Sequence, residues 1–166
     1  MKTLLLMRHA KSSWKQAGLT DWERPLNKRG KSDAPRMGER LWEEDLVPQL
    51  IVSSDALRAR QTAEAVADAA GYEGEVLYLA DLYHGTFAEY VEALASIPDE
   101  QEVVMVIGHN PDLQDVLEML SGQTEPMPTG AIAHLELAIG RWSELRDDSE
   151  AELLHLWRPR EIGFSS

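Results

Sequence analysis

Thr3-Leu4-Leu5-Leu6-Met7 runs directly into Arg8-His9, and this junction decides how the rest of the chain is read. A short apolar run without polar alternation suits a strand covered on both faces. Gln49-Leu50-Ile51-Val52-Ser53 and Glu102-Val103-Val104-Met105-Val106-Ile107 repeat the pattern. Residues 75–79, 131–139 and 151–157 are further strand candidates. Between them lie residues at helical spacing: Ala34, Met37, Leu41 and Trp42; then Ala56, Ala59, Ala63, Val66, Ala67 and Ala70; then Phe87, Tyr90, Val91, Leu94 and Ala95. Residues 111–120 predict a fourth helix, with Asn110 as its N-cap and Pro111 at its first position. Alternating strands and helices imply an α/β fold, a three-layer α/β/α sandwich with a mainly parallel central sheet and right-handed crossovers. Residues 122–130 read as a loop, 143–149 as a polar hairpin connection, and 158–166 as a loosely held tail.

The chain has 166 residues, which favours one domain spanning 1–166. Its 43% hydrophobic and 27% charged residues are ordinary for a soluble globular protein. No apolar run approaches the roughly 20 residues that span a bilayer, and residues 3–7 are too short for a signal-peptide core. Cysteine is absent, which excludes disulfides, thiolate metal sites and cysteine nucleophiles and fits a reducing cytoplasm. A net charge of −13 argues against nucleic acid as a partner, and nothing points to a membrane. The charge is uneven: residues 1–60 hold 12 Lys+Arg and 8 Asp+Glu, and residues 61–166 hold 4 and 21. A basic pocket within a repelling field would suit a small anion, although helix faces of different charge give the same arithmetic.

The first, second and third apolar runs end in Arg8-His9, Ser53-Ser54 and Gly108-His109. Ligands of open α/β sheets sit outside the carboxyl ends of the strands. If the three strands are parallel, Arg8, His9 and His109 therefore converge, and the next helix brings Arg58 to the same edge in its first turn. Two guanidiniums can chelate a phosphoryl group and stay charged. A neutral imidazole between them can attack phosphorus and form a covalent intermediate, and adjacent positive charge helps keep His9 neutral. His109 can donate to the equatorial oxygens as charge redistributes. No metal or other cofactor is required, because the guanidiniums supply the positive charge, and two histidines 100 residues apart make a weak metal signature.

Taken singly, each residue has an ordinary use. A histidine after a strand is commonly a structural group, and an arginine in a first helical turn is commonly solvated. Arg58 and Arg60, two positions apart, point to different helix faces, so at most one enters the crevice. Trp14, Trp22 and Trp42 either pack in or around the core or edge a binding surface.

Met7-Arg8-His9-Ala10-Lys11-Ser12-Ser13-Trp14 resembles the opening motif of the histidine phosphatase (phosphoglycerate-mutase-like) superfamily. Ser54-Asp55-Ala56-Leu57-Arg58-Ala59 with Thr62 resembles its second motif, and Val106-Ile107-Gly108-His109-Asn110 its third. The short chain and Arg24-Pro25-Leu26-Asn27-Lys28-Arg29-Gly30 are similar to the SixA-like phosphohistidine phosphatase branch. The resemblance implies a phosphoglycerate-mutase-like fold, His9 as the phosphorylated nucleophile, and Arg8, Arg58 and His109 as the phosphate pocket. It also selects Arg58 over Arg60. Ala10 stands where the family carries Gly, a change tolerated where the backbone avoids positive φ. Lys15 stands where mutase-type members carry Asn, which argues against sugar-phosphate mutase activity. Asp81 is the nearest counterpart of the family's proton-donating carboxylate, or else a solvated loop acid. Ser12 and His84 border the pocket.

A weak or missing acid bears on the substrate. Expelling an alkoxide from a phosphate monoester needs a proton, worth about 10²–10⁴-fold in rate, whereas the labile P–N bond of phosphohistidine demands less. Residues 80–86 are too few for a large lid, so the pocket should admit a phosphohistidine carried by a protein. The expected activity is thus a cytoplasmic, metal-independent phosphatase acting on phosphohistidine in proteins. The alternatives are a phosphomonoesterase for small sugar or nucleotide phosphates, with Asp81 as acid, and a non-catalytic module that binds phosphoproteins. Oligomeric state is left open.

Overall fold

The computed structural model describes residues 1–162. Six strands form one sheet: β1 (Lys2–Arg8), β2 (Leu50–Ser54), β3 (Val76–Leu79), β4 (Val103–Gly108), β5 (Ile132–Leu137) and β6 (Ala151–Trp157). Their order is β3-β2-β4-β1-β5-β6. The first four are mutually parallel where they pair, and β5 and β6 are each antiparallel to the preceding neighbour. Four helices complete the fold: α1 (Lys28–Glu43), α2 (Leu57–Ala70), α3 (Phe87–Ala95) and α4 (Asp112–Ser121). All six predicted strands and all four predicted helices are present, shifted by a few residues at their ends.

The apolar runs behave as expected for strands covered on both sides. Leu4, Leu5, Leu6 and Met7 are fully buried, as are Val104, Met105 and Ile107. Each such side chain contributes about 1.5–3 kcal/mol on leaving water. Leu4, Leu6, Val104 and Val106 pack with Tyr90 and Leu94 of α3 and with Leu113, Val116 and Leu117 of α4. Leu5, Met7, Met105 and Ile107 face Ala34, Met37 and Leu41 of α1 and Ala59, Ala63 and Val66 of α2. The result is the three-layer α/β/α sandwich. Strand period 2 sends alternate residues to the two layers, which is why both faces of β1 and β4 had to be apolar.

This topology places the site. Connections through α1 and α2 run over one face, and the chain then returns through α3 on the other to insert β4 between β2 and β1. The carboxyl ends of β1, β4 and β2 are therefore neighbours at the point where the winding reverses, where open α/β sheets bind ligands. Arg8 pairs in register with Gly108, and Ile107 with both Met7 and Ser53. Gly108 is required by close approach: a Cβ there would lie 2.1 Å from the Tyr90 hydroxyl oxygen. Gly30, in the first turn of α1, lets that helix abut the segment after His9, where a Cβ would lie 2.1 Å from the Lys11 carbonyl oxygen.

Several local expectations are corrected. Pro111, not Asn110, is the N-cap of α4. The Asn110 amide instead donates to Gln114 Oε1 (2.8 Å) and to the Met127 carbonyl (2.9 Å), tying the 122–130 loop to the helix. The 143–149 hairpin connection is present, joining antiparallel β5 and β6, and is anchored just before it by Trp142, fully buried and donating its indole N–H to the Gln101 carbonyl. Residues 158–162 are held rather than loose: Arg158 pairs with Glu125 and Glu161, and Arg36 donates to the Pro159 and Ile162 carbonyls. Residues 163–166 of the predicted tail lie outside the described residues. Trp14, Trp22 and Trp42 are exposed rather than packed in the core. No helix is long and apolar enough to cross a membrane among the described residues.

Candidate active site

One cavity of about 330 Å³ opens at the carboxyl ends of β1 and β4, lined by Arg8, His9, Ser12, Arg58, His84 and His109 among others. Residues separated by 100 positions in sequence thus meet, with the His9 and His109 ring centres 5.1 Å apart. His9 is 6% exposed and His109 5%.

The His9 Nδ1 atom lies 2.7 Å from the Ala10 carbonyl oxygen. A carbonyl can only accept, so Nδ1 carries the proton and Nε2 keeps its lone pair. Burial lowers the His9 pKa to about 3, and the neighbouring His109, Arg58 and Arg8 add to the effect against the opposing Ala10 hydrogen bond. His9 is accordingly neutral, with a fixed tautomer and a bare nitrogen. The next residue is equally well held: the Ala10 N–H donates to Thr62 Oγ1 at 3.0 Å. Ala10 is not among the positive-φ residues, so it replaces the expected glycine without strain.

His109 is also neutral, its pKa lowered to about 3 first by burial and then by Arg58 and His84. Its Nε2 lies 2.8 Å from Ser54 Oγ. That hydroxyl already accepts from the Ala56 N–H (3.2 Å), so its own hydrogen is free to go to Nε2. When that hydrogen goes to Nε2, the ring proton sits on Nδ1, a buried atom with no partner among the described residues. An orphan donor of this kind suits an oxyanion oxygen.

The two arginines hold their heads in place through neighbours. Arg8 Nη1 donates to the Met127 carbonyl at 3.2 Å, and its Nε is buried and unpaired. Arg58, 4% exposed, donates from Nη1 to the Asp21 carbonyl (2.6 Å) and from Nη2 to Asp21 Oδ2 (3.0 Å), again leaving Nε unpaired. Arg60 faces away, bonding the Asp55 carbonyl and lying over the Tyr78 ring. Ser12 lines the pocket, where its Oγ accepts from Arg24 Nη1 at 2.9 Å. Trp14 stands at the rim with the Arg24 guanidinium 3.4 Å above its ring centre.

Asp81 is placed elsewhere. It is exposed and borders a separate cavity with Leu50, Leu79 and Glu92. The turn carrying it points the adjacent His84 toward the pocket instead, at a left-handed φ of 59°. Such a backbone costs of order 1–3 kcal/mol in a non-glycine residue and clusters at functional sites. The carboxyl group that does line the pocket is Asp21. Burial tends to raise its pKa, but the Tyr83 hydroxyl (2.5 Å), Arg58 and Arg24 outweigh this and bring it down to about 2. It is an ionised anchor for Arg58, unsuited to donating a proton near neutrality.

Asp21, Ser54 and Tyr83 are the site residues that sequence patterning missed. Ser54 carried a usable signal, a polar residue ending a buried strand. Asp21 and Tyr83 sit in short irregular segments whose placement follows only from packing. Among the described residues, no group of three or more His, Asp or Glu is arranged to hold a metal ion.

The chain matches the profile of the histidine phosphatase superfamily (branch 1) over residues 4–89. It is 34% identical over 152 residues to an uncharacterised chloroplastic protein of Arabidopsis thaliana, covering 86% of this chain and 70% of that one. The structure of the protein histidine phosphatase SixA complexed with tungstate superposes with a TM-score of 0.82 at 25% identity, covering 95% of this chain and 97% of that one. A mycobacterial glucosyl-3-phosphoglycerate phosphatase, at 16% identity and TM-score 0.69 over 92% of this chain and 97% of that one, shares the fold alone.

Proposed function

The chain belongs to the histidine phosphatase superfamily, and from that premise we propose that residues 1–166 form one cytoplasmic, metal-independent catalytic domain that removes phosphate from phosphohistidine in proteins. The observation that carries this is the His9 tautomer. Its Nε2 lone pair stands in an oxyanion pocket whose one carboxyl group among the described residues, Asp21, is held ionised.

In the first step His9 Nε2 forms a bond to phosphorus while the P–N bond of the substrate breaks. The departing imidazole, protonated beforehand by solvent on its other nitrogen, leaves neutral and needs no enzyme acid. Arg8, Arg58 and His109 Nδ1–H donate to the equatorial oxygens as charge spreads over them. A water then attacks the phosphorus of phospho-His9, the new P–N bond breaks, and phosphate and neutral His9 are released. A phosphate monoester would leave as an alkoxide with no protonated carboxyl at hand, so the pocket favours the P–N bond. The binding of tungstate, a tetrahedral oxyanion, by the SixA protein of the same fold supports a phosphate-sized site.

The test is turnover of a phosphohistidine peptide beside an alkyl phosphate such as glycerol phosphate, with chelator present and acid-labile phosphoenzyme trapped by rapid quench. The proposal expects faster P–N cleavage and a phosphate on His9. Preference for the monoester, or loss of activity to the chelator, would overturn it.

A further inference from the structure

A second cavity of about 420 Å³ shares Arg8, Lys11 and Thr129 with the catalytic pocket and continues along Arg29, Arg158 and Arg160. Its one acidic lining residue is Glu161, which is engaged by Arg158 at 3.2 Å. The side chains of Lys11 and Arg160 make no hydrogen bond or ion pair among the described residues. Arg29 and Arg160 in turn border an open depression that reaches Lys28 at the start of α1, where Asp33 engages Arg29 at 3.4 Å. On a chain of net charge −13, a continuous cationic trough leading out of the catalytic pocket is a local reversal of the whole protein's field, and such a reversal steers an anionic partner toward the reacting atoms.

The trough is more than a phosphate needs. Arg8, Arg58 and His109 already surround one phosphoryl group, and the added space exceeds what a single further carboxylate would fill. Its walls are stiff: Pro128 and Pro159 line it, and Arg158 is fixed by Glu125 at 3.2 Å. We infer, resting on the phosphoprotein reading above, that Lys11, Arg160 and, beyond Arg29, Lys28 form a subsite for an acidic segment flanking the phosphohistidine of the substrate protein. Aspartate or glutamate side chains of that segment would meet the unpaired Lys11 and Arg160 while its phosphohistidine enters the catalytic pocket. The neutral flanks of a poor substrate would leave these cations with water, and the acidic surface of the enzyme would repel acidic proteins that approach elsewhere.

The experiment uses the double variant Lys28→Glu/Arg160→Glu. Both side chains are exposed and neither lines the catalytic pocket, and a glutamate in the first turn of α1 complements the helix dipole, so folding is retained. Three substrates are compared: phosphoramidate, a phosphohistidine peptide with neutral flanks, and one with Asp/Glu flanks. The wild-type protein should prefer the acidic peptide by about tenfold or more in kcat/KM, with the preference screened by salt. The variant should lose that preference while phosphoramidate turnover stays within about twofold. An unphosphorylated Asp/Glu peptide should inhibit phosphoramidate turnover by the wild type and not by the variant. Equal inhibition of both proteins, or no preference for acidic flanks, overturns the subsite. Selective inhibition without any phosphohistidine turnover keeps the acidic-peptide site and instead ends the phosphohistidine reading.

Discussion

Thr62 Oγ1 accepts a hydrogen bond from the Ala10 N–H at 3.0 Å and donates its own hydrogen to the Arg58 carbonyl at 2.7 Å. One hydroxyl, fully buried, thereby links the residue after His9 to the helix turn that carries Arg58. The proposed nucleophile and the proposed phosphate clamp come from different elements, and this hydroxyl bridges them.

Thr62→Val keeps the shape but strands the Ala10 N–H without an acceptor. The variant should lose about 1–3 kcal/mol of stability by denaturant titration and show a lower kcat. Thr62→Ser should restore both. A valine variant with wild-type stability and rate would mean that the bond does not hold the loop.

Ser54 acts on His109 as a positioning residue. Ser54→Ala removes the hydrogen that assigns the ring proton to Nδ1, and kcat for phosphoramidate should fall roughly tenfold or more with little change in KM. Ser54→Thr keeps the hydroxyl and should recover most of the rate. An equal loss in both variants would indicate damaged packing instead of a lost tautomer.

Asp81 stands outside the pocket, so Asp81→Asn should leave rates on phosphoramidate and on an alkyl phosphate monoester within about twofold. Selective slowing of the monoester would restore it as a proton donor.

His9 and His109, each with its pKa lowered to about 3 chiefly by burial, make the fold sensitive to acid. Unfolded imidazoles titrate near 6.5, so between pH 6.5 and 3 the unfolded chain binds more protons and stability falls as pH falls. Each ring should cost about 2 kcal/mol between pH 7 and 5. Urea midpoints at pH 7 and pH 5 check this, and His109→Asn should remove its share of the difference. A midpoint independent of pH over that range would show rings able to accept protons in the fold.

Gly108→Ala would push a methyl into the Tyr90 hydroxyl. Tyr90 is fully buried and cannot swing away, so overpacking should cost about 1–3 kcal/mol. A lower thermal midpoint and a raised KM, through displacement of the adjacent His109, are expected. Full wild-type behaviour would mean that the end of β4 adapts freely.

Much of the fold was legible in the chain. Residues 3–7, 49–53 and 102–107 are apolar on both strand faces, and only a sheet covered on both sides satisfies such runs; helical spacing between them then required a layered α/β arrangement. Polar residues at the strand ends, Arg8-His9, Ser54 and Gly108-His109, marked one edge of the sheet. Those features are local and periodic, so they survive in one dimension. What only the tertiary structure decided depends on distance between irregular segments: that Asp21 and Tyr83 brace Arg58, that the Ser54 hydroxyl meets His109 Nε2, that His84 rather than Asp81 faces the pocket, and that Arg158 and Arg160 return to extend a basic trough from its mouth. Hydrogen bonds and charge pairing act over a few ångströms of space and carry no periodic trace along the chain, so their partners became visible only when the sheet had brought them together.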